Sequence, residues 1–353
     1  MGNETHIKIR EACRAVYAAI LSGQGWDAAL GRYDALRSAL APREVARLDP
    51  GIRADARWAS PRSNARCALL RFGRAPARSA RLEKALKAQP GVARLLIHDP
   101  DGRVREAAAR AMPDPCNDAA ALAALVLRCN DWAGDVRTAA LQRIRKIAAR
   151  PSVPALPELM PLLLDQVARW QRGGAEALRL LEARADWPGT LLAMFRHETS
   201  GPLARRLRAQ LSDADASATL EPYLPDLALS ARSSFVRSVA AEIVSTGEAR
   251  WREGYEWEWI DKVYGLRRRR TIWGCRKIRM PADVVGQVLE RAAQDKSSGV
   301  RKRAADRLIA EGPGAANAAL IETLRTDTAR AVRARMEYYD RKWLGENSQS
   351  EAS

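Results

Sequence analysis

The sequence predicts an all-α fold, an α-solenoid of helical hairpins with one irregular insert, a possible β-hairpin, near 251–280. Three observations predict it. First, one phrase recurs. Asp99 is followed five residues later by Val104-Arg105 and then Ala107 and Ala108, and Asp131 by Val136-Arg137, Ala139 and Ala140. Asp295 leads in the same way to Val300-Arg301, Ala304 and Ala305, and Asp327 to Val332-Arg333, Ala334 and Met336. A further copy, Val236-Arg237 with Val239 and Ala240, has Ala231 where the aspartate would stand. Second, the valines keep a period: 32 residues from 104 to 136 and from 300 to 332, and 64 from 236 to 300. A fixed period of this size is the signature of a repeat array, and the 136–236 gap has room for about three more units. Third, Val104, Ala107, Ala108 and Ala111 run i, i+3, i+4, i+7, one apolar stripe of an amphipathic helix.

Each element follows from these. The leading aspartate sits where a helix N-cap or turn residue belongs. Ahead of three phrases lies a second apolar helix: 119–127, 284–293 and 315–324. Neither helix of such a pair buries its stripe alone, so stacking successive pairs is what makes a core. The pattern resembles the HEAT-repeat family, whose second helix carries an Asp, then Val-Arg, then small apolar residues. By that resemblance Asp99, Arg105, Asp131, Arg137, Asp295, Arg301, Asp327 and Arg333 are structural, each arginine reaching an aspartate of a neighbouring unit. The resemblance covers roughly 92–150 and 282–345, with 230–250 as a weaker copy, and it implies a fold, not an activity.

From the N-terminus, 5–40 reads as two helices, with Ile9, Ala12, Val16 and Ile20 on one face and Trp26, Leu30, Tyr33 and Leu36 on another. Pro42, Pro50, Gly51 and Pro61 make 41–62 a loop with a short helix, and 63–70 a degenerate repeat helix. Residues 1–90 thus form an N-terminal helical region, and 91–250 the repeats with an irregular middle. There, Pro151, Pro154, Pro157 and Pro161 mark a junction before a helix at 162–170. Short helices follow at 174–185, 188–197 and 202–211, and the helix 233–249 restores the register.

The insert 251–280 breaks the pattern. Tyr255, Trp257 and Trp259 alternate with Glu256 and Glu258, a period of two as in a strand. Eight basic residues and no acidic one lie between Lys262 and Ala282, and four of the ten tryptophans lie within the insert. A β-hairpin and a distorted helical pair both fit, the hairpin better. Repeats resume over 281–345, and 346–353 reads as a disordered polar tail.

Composition narrows the function. No apolar run is long enough for a membrane span, and the N-terminus lacks a secretory layout. The five cysteines are scattered, with no Cys-x-x-Cys, which fits reduced thiols in a cytoplasmic protein and no zinc site. His6, His98 and His197 have no metal-ligand spacing, and no phosphate-binding or nucleophile motif is present, so neither a cofactor nor a catalytic set is expected. The net charge of +17 favours a polyanionic partner. Of the 59 basic residues 50 are Arg, a choice that GC-rich coding also produces, so only the charge excess informs.

Two basic stretches are candidate contacts. One, 53–87, has ten basic residues against Asp55 and Glu83. The other comprises Lys262, Arg267, Arg268, Arg269, Arg270, Trp273, Arg276, Lys277 and Arg279: cations for phosphates and aromatic faces for exposed bases. The same tryptophans would equally plug the place of a missing repeat. The leading expectation is a non-enzymatic scaffold for nucleic acid, DNA or RNA; the alternative is an adaptor for an acidic protein. A second resemblance is to HEAT-like alkylpurine DNA glycosylases, which use an Asp with a Trp four residues before it. Trp257 and Asp261 have that spacing, and by this resemblance Asp261 would stabilise a cationic sugar. The strand-like alternation at 255–259 argues against the helix that such a pair needs.

Overall fold

A turn of fixed chemistry precedes each repeated helix in the computed structural model, which describes residues 2–58, 71–314 and 317–345. The aspartate is the turn residue, not the N-cap: its carboxylate accepts from the amide two residues on. This holds for Asp99 with Asp101, Asp131 with Ala133, Asp295 with Ser297 and Asp327 with Ala329. The arginine of each phrase then reaches back and donates to two carbonyls of that turn. Arg105 donates to Asp99 and Pro100, Arg137 to Asp131 and Trp132, and Arg237 to Ala231 and Arg232. Arg301 (to Asp295 and Lys296) and Arg333 (to Asp327 and Thr328) do the same. Helix entry and turn are thereby closed by one side chain.

The fold is mostly helical, with one two-stranded antiparallel sheet. In order, the helices are α1 (Gly2–Ser22), α2 (Asp27–Ser38), α3 (Pro42–Trp58), α4 (Arg71–Ala88), α5 (Ala93–Leu96), α6 (Gly102–Ala111) and α7 (Ala119–Arg128). Then come α8 (Gly134–Ala148), α9 (Leu156–Asp165), α10 (Gly174–Glu182), α11 (Trp187–His197), α12 (Leu203–Gln210), α13 (Ala214–Leu220), α14 (Leu224–Ser230) and α15 (Ser234–Thr246). The strands β1 (Glu248–Asp261) and β2 (Leu266–Lys277) follow, then α16 (Ala282–Ala293), α17 (Ser298–Glu311), α18 (Ala318–Arg325) and α19 (Arg330–Trp343).

Two compact units divide the chain, Met1–Thr190 and Leu191–Ser353. In the first, α6 packs on α8, and α3 packs on α7 and α9. Val104, Ala108, Val136, Ala140 and Ile144 are buried there. In the second, α15, α17 and α19 pack in series, each against its own preceding helix, α14, α16 or α18. Val236, Ala240, Val300, Ala304, Val332 and Met336 form that seam, and their small side chains let the helices approach closely.

Between phrases, arginine and aspartate also pair. Arg105 grips Asp131 with two bonds of 2.8 and 2.9 Å, and Arg301 grips Asp327 with 2.6 and 2.9 Å. Arg237, from the copy lacking its own aspartate, reaches Asp295 at 2.7 and 2.9 Å. Asp99 is taken by Arg78, at 2.7 and 3.1 Å. Among the described residues, Arg137 and Arg333 bond to turn carbonyls and grip no aspartate of another phrase.

Several expectations need correction. The stretch 41–62, expected as loop with a short helix, is a long helix over its described part. There α3 runs from Pro42 to Trp58 through Pro50, because Val45, Leu48, Ile52 and Ala56 form a buried stripe while Pro50 faces solvent; 59–62 lie outside the described residues. Its start is held by Glu44, which accepts from the Ala41 amide at 3.0 Å. The helix expected at 162–170 begins earlier, as α9, with Pro157 tolerated in its first turn and Pro161 inside it. It ends at Asp165, before a 3-10 turn at Val167–Arg169. Helices α13 and α14, of seven residues each, are too short for a full stripe to show in the sequence; Asp213 caps α13, accepting from Asp215 and Ala216. The helix expected at 233–249 stops at Thr246, where Gly247, at φ +66°, turns the chain into β1. The possible repeat helix at 63–70 lies outside the described residues, as does the 346–353 tail.

Candidate nucleic-acid interface

Pairing of β1 with β2 sorts the insert onto two faces. Trp257 lies opposite Arg269, Trp259 opposite Arg267 and Tyr255 opposite Thr271. Directly opposed residues share a face. A bulge between Arg252 and Gly254 brings Arg252 and its partner Trp273 onto the same face. That face is therefore Arg252, Trp273, Tyr255, Thr271, Trp257, Arg269, Trp259 and Arg267 in succession. The opposite face pairs Glu256 with Arg270 and Glu258 with Arg268.

The faces differ in charge. Arg268 binds Glu258 at 2.8 Å, and Arg270 lies 3.6 Å from Glu256, so these two arginines are offset by carboxylates. The hydrogen bond from Arg268 lowers the Glu258 pKa from its ordinary value. Arg267, Arg269 and Arg252 have aromatic partners instead. Arg267 stands 4.5 Å from the Trp257 ring centre; Arg269 and Arg252 lie 3.9 and 4.8 Å from that of Tyr255. No carboxylate pairs with these three among the described residues. Stacking fixes a guanidinium without neutralising it, so this face keeps its cations.

A lone two-stranded ribbon is marginal in water. This one is stabilised by its cross-strand ladders and anchored at its base. There Ala249 and Ile278 are buried, and the Ile278 amide donates to the Gly247 carbonyl at 2.8 Å. Arg208 donates to the Arg250 carbonyl at 2.8 Å, and Arg276 to that of Ser212 at 3.4 Å. At the far end, Asp261 accepts from the amides of Val263 and Tyr264 and closes the turn. Ile260, Val263, Tyr264 and Leu266 are exposed there.

The insert's candidate residues are thus brought together on one exposed ribbon, but not as one surface. Arg267, Arg269 and Trp273 share the aromatic face, while Arg268 and Arg270 sit in ion pairs behind it. Lys262 is exposed in the turn, Lys277 and Arg279 are exposed at the base, and Arg276 is half-buried there. Arg252, Tyr255 and Trp259 belong to the face but were absent from the sequence-derived set; odd–even alternation across the bulge is the signal that finds them. Trp257 and Asp261 do not share a helix face, and the Asp261 carboxylate is committed to its turn.

The other basic stretch is partly structural. Arg53 lies 3.3 Å from Asp49, and Arg78 is held by Asp99; the side chains of residues 58–77 lie outside the described residues. No group of metal-ligating side chains occurs among the described residues, and no helix there is long and apolar enough to cross a membrane. Compared with known proteins, the chain matches no family model, no curated protein and no solved structure.

Proposed function

We propose that the chain is a non-enzymatic nucleic-acid-binding scaffold, an α-solenoid of HEAT-like helical hairpins whose β-hairpin arm makes the principal contact. The solenoid reading rests on the recurrent turn and on the Asp–Arg pairs between successive phrases. The binding reading rests on one observation above all: the arm carries Arg252, Arg267 and Arg269 without carboxylate partners, interleaved with Tyr255, Trp257, Trp259 and Trp273. Guanidinium groups supply salt-dependent phosphate contacts, and the indole faces stack on unpaired bases whatever their identity. Single strands are therefore the favoured form, DNA or RNA alike.

A second reading, an adaptor for an acidic protein, draws support from the apolar tip, where Val263 and Tyr264 are 90% and 79% exposed. A salt titration separates the two. With labelled single-stranded DNA, single-stranded RNA and duplex, binding falls steeply as salt rises and the single strands bind more tightly. Absence of binding to all three at low salt contradicts the nucleic-acid reading and favours the adaptor.

A further inference from the structure

A cavity of about 340 Å³ opens within the first unit. Its walls come from α3 (Asp49 and Arg53), from the end of α7 and the following turn (Arg128, Asp131 and Trp132), and from the segment after α9 (Trp170 and Arg172). Its volume is at the lower end of the small-ligand range, and it is built rather than incidental. Arg128 is 2% exposed; it donates to Asp49 at 2.5 Å and to Asp131 at 3.2 Å, while its Nε is buried without a partner. Asp49 also accepts from His98 Nδ1 at 2.6 Å, and Asp131 is gripped by Arg105 from behind. Both carboxylates are thereby consumed by structural partners.

Charge is left over. The lining sets Arg53, Arg128 and Arg172 against Asp49 and Asp131, with Arg105 behind Asp131, and burial lowers the His98 pKa, favouring the neutral imidazole. Three cations against two anions leave one positive charge on the lining, and Arg105 adds a further cation behind it. Arg53 carries the clearest deficit: it lies 3.3 Å from Asp49 and 4.0 Å from Asp131, and its buried Nε has no partner. Burial, joined by the neighbouring Arg128 and Arg105, lowers its pKa against the opposing pull of Asp49 and Asp131. Arg172, at the rim, is tied to its place by bonds to the Asn130 carbonyl and side chain.

Beside the cations stands an aromatic wall. Trp132 is 68% exposed, with the Arg105 guanidinium 5.9 Å from its ring centre. An indole backed by a cation and otherwise open to solvent is a stacking platform in want of a ring.

We propose that this cavity binds a nucleoside monophosphate, the phosphate on Arg53 and Arg172 and the base against Trp132. A phosphomonoester carries about −1.5 to −2 at neutral pH, an anion suited to the positive excess of the lining and of Arg105 behind it. The planar base uses the platform that a simple anion would leave empty. A metal ion does not fit, because the carboxylates are already bound by arginines. The site is independent of the hairpin arm and of the function proposed for it.

Tryptophan fluorescence and calorimetric titration with adenosine monophosphate, adenosine and inorganic phosphate test it. The monophosphate binds more tightly than either part alone. Arg53→Gln weakens monophosphate binding about tenfold or more, as loss of a charge-assisted contact does, and changes adenosine binding little. Trp132→Leu weakens both. Arg267→Gln/Arg269→Gln leaves all three unchanged, which separates the cavity from the arm. Circular dichroism matching the wild type shows that each variant is folded. No monophosphate binding at millimolar concentration overturns the proposal. So does equal binding of inorganic phosphate, or a loss caused by the arm variant and not by Arg53→Gln.

Discussion

At the scale of residues, the same arginine does unequal work in different copies. Arg105 is fully buried and joins its own turn to Asp131, whereas Arg333 is exposed and bonds to the carbonyls of its own turn. Removing one partner of a buried ion pair strands the other, at a cost of about 3–5 kcal/mol. Arg105→Ala is expected to lower stability by that amount in urea titrations followed by circular dichroism, and Arg333→Ala by less than about 1 kcal/mol. The phrase itself was legible because its turn, cap and stripe are all local. Its depth of burial was not, since that depends on which helices cover it. Nor was the partner of Asp99: Arg78 lay in a stretch read only as net charge, although a guanidinium and a carboxylate 21 residues apart meet there.

At the scale of elements, the competition between a breaker and a stripe explains what sequence patterns missed. Pro50 costs α3 one hydrogen bond, but the buried faces on both sides of it outweigh that cost. In the insert, strand-like alternation was visible, yet the make-up of the aromatic face depends on register and on a bulge, which no period reports. Gly274 fixes one point of that register: a Cβ there would collide with the Trp251 indole and the Glu253 carboxylate. Gly274→Val is therefore expected to displace Trp251 and distort the ribbon. It should change the near-ultraviolet circular dichroism and weaken nucleic-acid binding, with the far-ultraviolet helical signal preserved. Gly247→Ala would place a Cβ in a left-handed turn, and a loss of about 1 kcal/mol is expected in thermal or urea unfolding.

At the scale of the whole molecule, the paired carboxylates predict how stability depends on pH. Burial alone would raise the pKa of Asp131 and Asp295, but hydrogen bonds from Arg105 and Arg237 lower them; at Asp327 the bond from Arg301 is the leading cause. Each carboxyl binds protons less readily folded than unfolded, so stability rises with pH. The contribution is complete above the ordinary carboxylate range near ~4 and is lost as pH falls through the lower folded values. The buried His98 imidazole, also lowered, acts at higher pH: its contribution begins to fade below about 6.5, where the unfolded chain takes up a proton first. Melting temperature should therefore fall in two phases on acidification. His98→Asn, which keeps a donor for Asp49, should remove the earlier one.

The charge excess of the whole chain could be read from composition, but where it is left unneutralised could not. Arg267 to Arg270 are one run in sequence and two populations in space, because a strand sends alternate side chains to opposite faces. Fluorescence anisotropy with a labelled single strand tests that distinction most directly, comparing two charge-defined variants. Arg267→Gln/Arg269→Gln removes uncompensated cations. The set Glu256→Gln/Arg270→Gln/Glu258→Gln/Arg268→Gln removes two ion pairs at no net change. The account predicts that the first variant binds weakly, with a salt slope shallower by about two phosphate contacts, and that the second binds like the wild type. Equal affinity of wild type and the Arg267→Gln/Arg269→Gln variant would contradict the assignment of the arm as the nucleic-acid contact.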